Sequence, residues 1–386
     1  MRARLFSVRI IELKIRVGIF EYLLEVSLCE MVAMKVRVGG EVREYQTVWM
    51  EEDAVCMIDQ TKLPFEFSIY KAKSVEEVAE AIRTMKVRGA PAIGVAACYG
   101  LAQAALQNRH LPSNELKTFL SKVAARLLST RPTAVDMQNM ITRVLETCVD
   151  LNSSDAIAQV ILREAKKIAQ ENIEACRKIG ELGSSLISKG ARILVHCNPG
   201  ALGTVDYGTA LSIVRFAHYQ GKNIFVYATE TRPWLQGRLT VWELIQEGIP
   251  HCLIVDAAAG YYLQKGEIDS VLVGADRVLP NGDVINKIGT YMIAVAAHEN
   301  SVPFIVAAPT TTFDLSGSSL RFEERPPEEI TQMKGYDPDS GKFIQVKIHP
   351  DVRARNLAFD VTPAKYVTFV VTERGVLKPN EIKLKL

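Results

Sequence analysis

Apolar and polar positions along this 386-residue chain follow two regimes that meet near Gly190. Before it, apolar residues recur three and four apart, the spacing of helices with one buried face. Ser74 is placed to N-cap a helix whose apolar stripe is Val75, Val78, Ala79 and Ile82, with Glu76 and Glu77 in its first turn. The turn Arg88-Gly89-Ala90-Pro91 opens an alanine-rich helix to about Gln107, and three more helices are predicted over 116–128, 133–150 and 154–187. Ahead of them, KVRV and EVREYQTVWM flank Gly39-Gly40 and predict a hairpin over 34–57. After Gly190, short apolar runs (ARILVH, NIFVYATE, HCLIVDAA, SVLVGAD, PFIVAAP, YVTFVV) alternate with helical stretches such as TALSIVRFAHYQ and TYMIAVAAHEN. Such alternation predicts βαβ units around a buried, mostly parallel sheet.

The fold class expected is α/β: a hairpin and helical domain over residues 35–187, then a Rossmann-like catalytic domain over 188–386. Residues 1–34 stand apart. Glu21 and Glu25 break the apolar core that a signal peptide would need. Either Met31 or Met34 is the true start and the stretch before it is an upstream translation, or the segment is an extension.

Composition narrows the function classes. Hydrophobic residues make up 48% and charged residues 23%, with a formal charge of +2 and the two signs well mixed. No basic face suggests nucleic acid, and no apolar run reaches the roughly 18 residues of a membrane span. A cytoplasmic protein is expected. The seven cysteines form no CxxC pair and the six histidines are scattered, so neither a disulfide framework nor a metal site is expected. No GxGxxG follows the first sheet strand and no Walker A motif occurs, so no nucleotide cofactor is expected.

Candidate chemistry gathers where strands end, since ligands of parallel sheets bind beyond the carboxyl edge. Cys197 closes the first sheet strand, and the amides near Gly200, Gly203 and Thr204 are expected at a helix N-terminus, which would bind anions and lower the thiol pKa. Asp276 ends SVLVGAD, where partial desolvation suits proton transfer. Asn286 and Lys287 precede a helix and could bind a phosphate or sugar hydroxyls. Arg88-Gly89-Ala90 and Arg131 offer cations at helix starts, and Gln236 lies in a loop after a strand. Each has an ordinary structural reading: a buried thiol, a capping aspartate, a solvated lysine, a turn. His196 beside Cys197 is no dyad partner, because adjacent strand residues point to opposite faces.

Taken together, six blocks spell a pattern: VRGAPAIGVAACYGLA, RPTAVDMQNM, HCNPGALGTVDYGTAL, ATETRPWLQGRLTVWEL, the run from Leu272 to Asp314, and AFDVTPAKYVTFVVTERG. The chain resembles the methylthioribose-1-phosphate isomerase family. Its superfamily includes ribose-1,5-bisphosphate isomerase and the alpha, beta and delta regulatory subunits of translation initiation factor 2B. The resemblance implies Cys197 and Asp276 as the catalytic pair. It implies Arg88, Gly89, Ala90, Arg131, Gln236, Asn286 and Lys287 as substrate contacts, and a homodimer that needs no cofactor. It also implies an aldose–ketose isomerisation of a phosphorylated sugar in methionine salvage. Asp276 would be the proton donor and Cys197 would act at C1/C2, with the hydrogen moving as a proton through an enolate or as a hydride. A bisphosphate isomerase or a non-catalytic regulatory subunit are the alternatives. Pro199, Trp234 and a shortened loop at Gly237-Arg238 depart from the family's usual pattern.

Overall fold

The structure, a computed structural model, describes residues 34–131, 134–314, 324–350 and 352–385. The N-terminal stretch 1–33, and Pro132 and Thr133 of the loop after Arg131, lie outside the described residues.

The hairpin forms as its glycines dictate. Strands β1 (Lys35–Val38) and β2 (Glu41–Glu44) pair antiparallel across Gly39-Gly40, both with positive φ. The rest of the expected hairpin becomes a separate antiparallel sheet of β3 (Val48–Glu51), β4 (Ala54–Ile58) and β5 (Ile69–Ala72). Five helices follow: α1 (Val75–Arg83), α2 (Ala90–Gln107), α3 (Ser113–Leu128), α4 (Val135–Glu146) and α5 (Ser154–Ser184). Ser74 caps α1 in a reciprocal box with Glu77. Fourteen of the eighteen residues of α2 are buried, so the helix is apolar on all sides and forms the centre of this half's core.

The second half is built on β6 (Arg192–Val195), α6 (Ala210–Tyr219), β7 (Phe225–Thr229), α7 (Gly237–Glu247), β8 (His251–Ile254), α8 (Ala258–Gln264) and β9 (Ser270–Val273). A β-hairpin of β10 (Arg277–Val278) and β11 (Val284–Lys287) leads to α9 (Thr290–Glu299) and β12 (Phe304–Ala307). Beyond lie α10 (Glu328–Thr331), β13 (Gln332–Asp337), β14 (Lys342–Lys347), β15 (Phe359–Thr362), β16 (Phe369–Thr372), β17 (Gly375–Leu377) and α11 (Ile382–Lys385). Among the described residues the main sheet has the order β17-β16-β12-β9-β6-β7-β8, parallel except for β17. The expected mostly parallel sheet is therefore observed.

Side-chain alternation divides its two faces. Ile193, Val195, Leu272 and Ile305 pack on the α6 side, while Leu194, Val271, Val273 and Val306 pack toward α9. The order also fixes the site. From β6 the chain builds outward through β7 and β8, then returns to the other side of β6 with β9 and continues outward through β12 and β16. The order thus reverses between β6 and β9, a crevice at the carboxyl edge where parallel sheets bind ligands. No helix among the described residues is long and apolar enough to cross a membrane.

Candidate active site

Cys197 follows β6 and Asp276 follows β9, so both leave neighbouring strands at the reversal. Both line one cavity of about 150 Å³. The helical half reaches into it with Arg88, Gly89 and Ala90 at the start of α2, and with Arg131 between α3 and α4. Gln236 arrives from the loop after β7 and Lys287 from the end of β11. Eight of the residues singled out in the sequence are thus brought together. Asn286 is not among the lining residues: its amide turns to Thr290, donating to Oγ1 at 3.1 Å. Alternation along β11 sends neighbours to opposite sides, so Asn286 braces the start of α9 while Lys287 faces the cavity.

The backbone that carries Cys197 is held in an uncommon conformation. Its φ is +67°, a region costly for a residue with a side chain. Thr231 Oγ1 accepts from its amide at 3.0 Å, and Thr240 Oγ1 donates to its carbonyl at 2.8 Å. The direction of the network behind it can be deduced. His196 Nε2 meets the Ile288 carbonyl at 2.9 Å, which can only accept, so Nε2 carries the proton. Burial lowers the His196 pKa and favours the neutral ring, so Nδ1 accepts from the Thr229 hydroxyl at 2.7 Å. The Thr231 hydroxyl then donates to Thr229 at 3.0 Å and leaves its lone pair for the Cys197 amide. His196 is not among the residues that line the cavity with Cys197.

Two expectations about the thiol are corrected. Burial pushes the Cys197 thiol up to about 11, outweighing the opposing pull of Lys287 and Arg88. It is therefore a neutral thiol at pH 7, not an activated thiolate. The amides after it also do not await an anion. Residues Ala201–Gly203 form one 3-10 turn, and the Glu243 carboxylate takes the Ala201 amide at 2.9 Å and the Leu202 amide at 3.2 Å. Glu243 in turn is ion-paired with the buried Arg215 at 2.8 Å.

The helix N-terminus that faces the cavity is that of α2. Gly89 caps it with φ +91°, and a Cβ there would lie 2.0 Å from the Gly203 carbonyl oxygen. Only glycine fits, and its fit brings the two halves into contact at the cavity. Arg88 is 9% exposed, and its Nε and Nη2 meet no hydrogen-bond partner among the described residues. Burial, with Arg238 nearby, lowers its pKa to about 9. A guanidinium held dry next to a second guanidinium favours an anion strongly, and a phosphate would satisfy both charge and donors.

Lys287 is 4% exposed, with its ammonium 4.0 Å from the Trp234 ring centre and 4.6 Å from that of Phe359. Trp234 is held by its indole N–H, which donates to Glu329 of α10 at 2.8 Å. Together with Ile93, Leu239 and Ile285 these rings give part of the cavity an apolar wall. Sequence reasoning assigned no role to Asp136, which also lines the cavity from the first turn of α4. Its only signal was its place just after Arg131. Among the described residues no group of three or more His, Cys, Asp or Glu could hold a metal ion.

Comparisons with known proteins place the chain in a family. Residues 86–379 match the Initiation factor 2 subunit family. A methylthioribose-1-phosphate isomerase of Chloroflexus aurantiacus is 47% identical over 87% of this chain and 96% of its own length. The crystal structure of 5-methylthioribose 1-phosphate isomerase from Pyrococcus horikoshii is 42% identical, with a TM-score of 0.80, covering 89% of this chain and 94% of that one. A structure described as translation initiation factor eIF-2B, subunit delta, from A. fulgidus is 43% identical, with a TM-score of 0.76, covering 88% and 97%. The chain belongs to the Initiation factor 2 subunit family and is an enzyme of the isomerase class.

Proposed function

We propose that the protein converts 5-methylthioribose 1-phosphate to 5-methylthioribulose 1-phosphate, an aldose–ketose step in methionine salvage. The observation that carries this reading is the meeting of Cys197 and Asp276 in one cavity with Arg88, Arg131 and Lys287. Phosphate would bind at Arg88 and the start of α2, and the methylthio tail would lie along the wall of Trp234, Ile93, Leu239 and Ile285.

The anomeric oxygen of this substrate is esterified, so the ring needs an acid to open. Asp276 gives a proton to the ring oxygen as its bond to C1 breaks. The C2 hydrogen moves to C1, and the C2 hydroxyl loses its proton as the ketone forms, which returns Asp276 to its starting state. Cys197 acts beside the C1–C2 bond. The buried site strengthens each of these charge interactions. The protein would work in the cytoplasm as a homodimer, without a cofactor.

Incubation of the pure protein with methylthioribose 1-phosphate, and separately with ribose 1,5-bisphosphate, tests the reading. Turnover of the first is expected, with kcat/KM well above that for the second. A preference for the bisphosphate, or turnover of neither, would overturn it. Cys197→Ser and Asp276→Asn should each abolish turnover and leave the circular dichroism spectrum unchanged.

A further inference from the structure

Asp136 sits in the first turn of α4 and is 5% exposed. Its Oδ2 is buried and has no hydrogen-bond partner among the described residues. It borders two spaces at once: the cavity of Cys197 and Asp276, and a separate cleft of about 730 Å³ between α4, α5 and the loop after β12. A carboxyl with this position stands between the reacting groups and a cleft that charged side chains border.

We infer that Asp136 and Asp276 act as a coupled carboxyl pair that together retain one proton, with Asp136 a positioning residue whose presence keeps that proton in the cavity for the acid step. The inference rests on the isomerase reading for its kinetic consequence, but the pairing itself does not. Two carboxyls lining one small cavity repel each other when both are ionised, so the pair retains a proton that either alone would lose at lower pH. Burial and the Asp276 charge raise the Asp136 pKa to about 7, and Arg277 only partly offsets them. Arg277 is already paired with Asp314 at 3.3 Å. Arg88, Arg131, Lys287 and the neutral Cys197 face the same cavity from the other elements. On the cleft side stand Arg143, Lys167, Glu171, Glu174, Lys178 and Glu373. Of these, Arg143 is held by Glu164 and Glu171. In the reaction the shared proton goes to the ring oxygen as its bond to C1 breaks. The proton released when the C2 hydroxyl becomes a carbonyl restores the pair, so no outside donor is consumed.

The test is the pH profile of kcat/KM for wild type and Asp136→Asn, a substitution close in shape that removes the second charge. Without the second carboxyl the mutual repulsion is gone, and the last proton of the cavity is lost earlier. The alkaline limb should move to lower pH by roughly one unit or more, whatever the height of the plateau. Asp136→Glu, which keeps a carboxyl, should hold the limb near the wild-type position. If Asp136→Asn does not fold, the wild-type and Asp136→Glu limbs must still coincide. An unmoved limb in folded Asp136→Asn, or a displaced one in Asp136→Glu, would overturn the inference.

A second reading needs no turnover. Infrared spectroscopy of the substrate-free enzyme at neutral pH should show a protonated carboxyl band that Asp136→Asn removes. Presence of that band in an inactive enzyme would sink the isomerase reading alone. Its absence from an active enzyme would sink the pairing alone.

Discussion

At the scale of single residues, the site combines strained backbone with dry charge. Cys197 is presented by a positive φ that two threonines clamp, and Arg88 by a glycine that no other residue can replace. Replacing Gly89 by Ala should therefore lower both stability and activity, because the new Cβ would collide with backbone and not with a movable side chain. A melting curve and activity matching wild type would refute that. Arg88→Ala should raise KM by roughly ten- to a hundredfold while affecting kcat less, as expected for loss of one charge-assisted phosphate contact. Because burial holds the Cys197 thiol at about 11, alkylation by iodoacetamide should be slow at pH 7 and climb through pH 9. Fast modification at pH 7 would mean an activated thiolate. Cys197 and Asp276 were legible because a strand end fixes which residue reaches the edge, and Lys287 because it precedes a helix. Asp136 and the raised thiol pKa were not, because burial depends on what a distant segment places on top.

At the scale of elements, alternating apolar runs identified the parallel strands and the helices between most of them. The switch between β6 and β9 was not legible, since strand order depends on which neighbours pair and not on any one strand's pattern. The β13–β14 hairpin was missed for a related reason. Most of its residues are exposed, so it carries little apolar signal, and Phe65 stacks on Tyr336 at 4.6 Å from the other half of the molecule. The 3-10 turn after Cys197 was read as a helix start because the Glu243 that caps it lies about forty positions further on. That carboxylate ties α6, α7 and the Cys197 loop together. Glu243→Gln should cost roughly 3 kcal/mol of stability, as loss of one partner in a buried ion pair commonly does. Denaturant midpoints check this, and a change below the error of the curves would contradict it.

For the whole molecule, titration of buried carboxyls sets the pH dependence of stability. Asp136, Asp206 and Asp360 are raised to about 7, 6 and 6 from the ordinary aspartate value of 3.8, chiefly by burial. Over that window the folded state binds more protons than the unfolded chain. Their contribution is full below about pH 4 and is lost as pH rises through 6 to 7. His196, lowered by burial, works the other way below its ordinary value, but it is a single group. The melting temperature should thus be higher at pH 5 than at pH 8, and Asp136→Asn should narrow the gap. A melting temperature that climbs from pH 5 to pH 8 would show that these carboxyls are not held protonated. The two halves meet at the cavity, where the start of α2 touches the loop after β6, so catalysis requires the fold as a unit. The most direct measurement is NMR-monitored conversion of methylthioribose 1-phosphate by wild type, Cys197→Ser and Asp276→Asn side by side. Ketose product from the wild type alone is the predicted result. Comparable product from either variant would contradict a reaction centred on that thiol and that carboxyl.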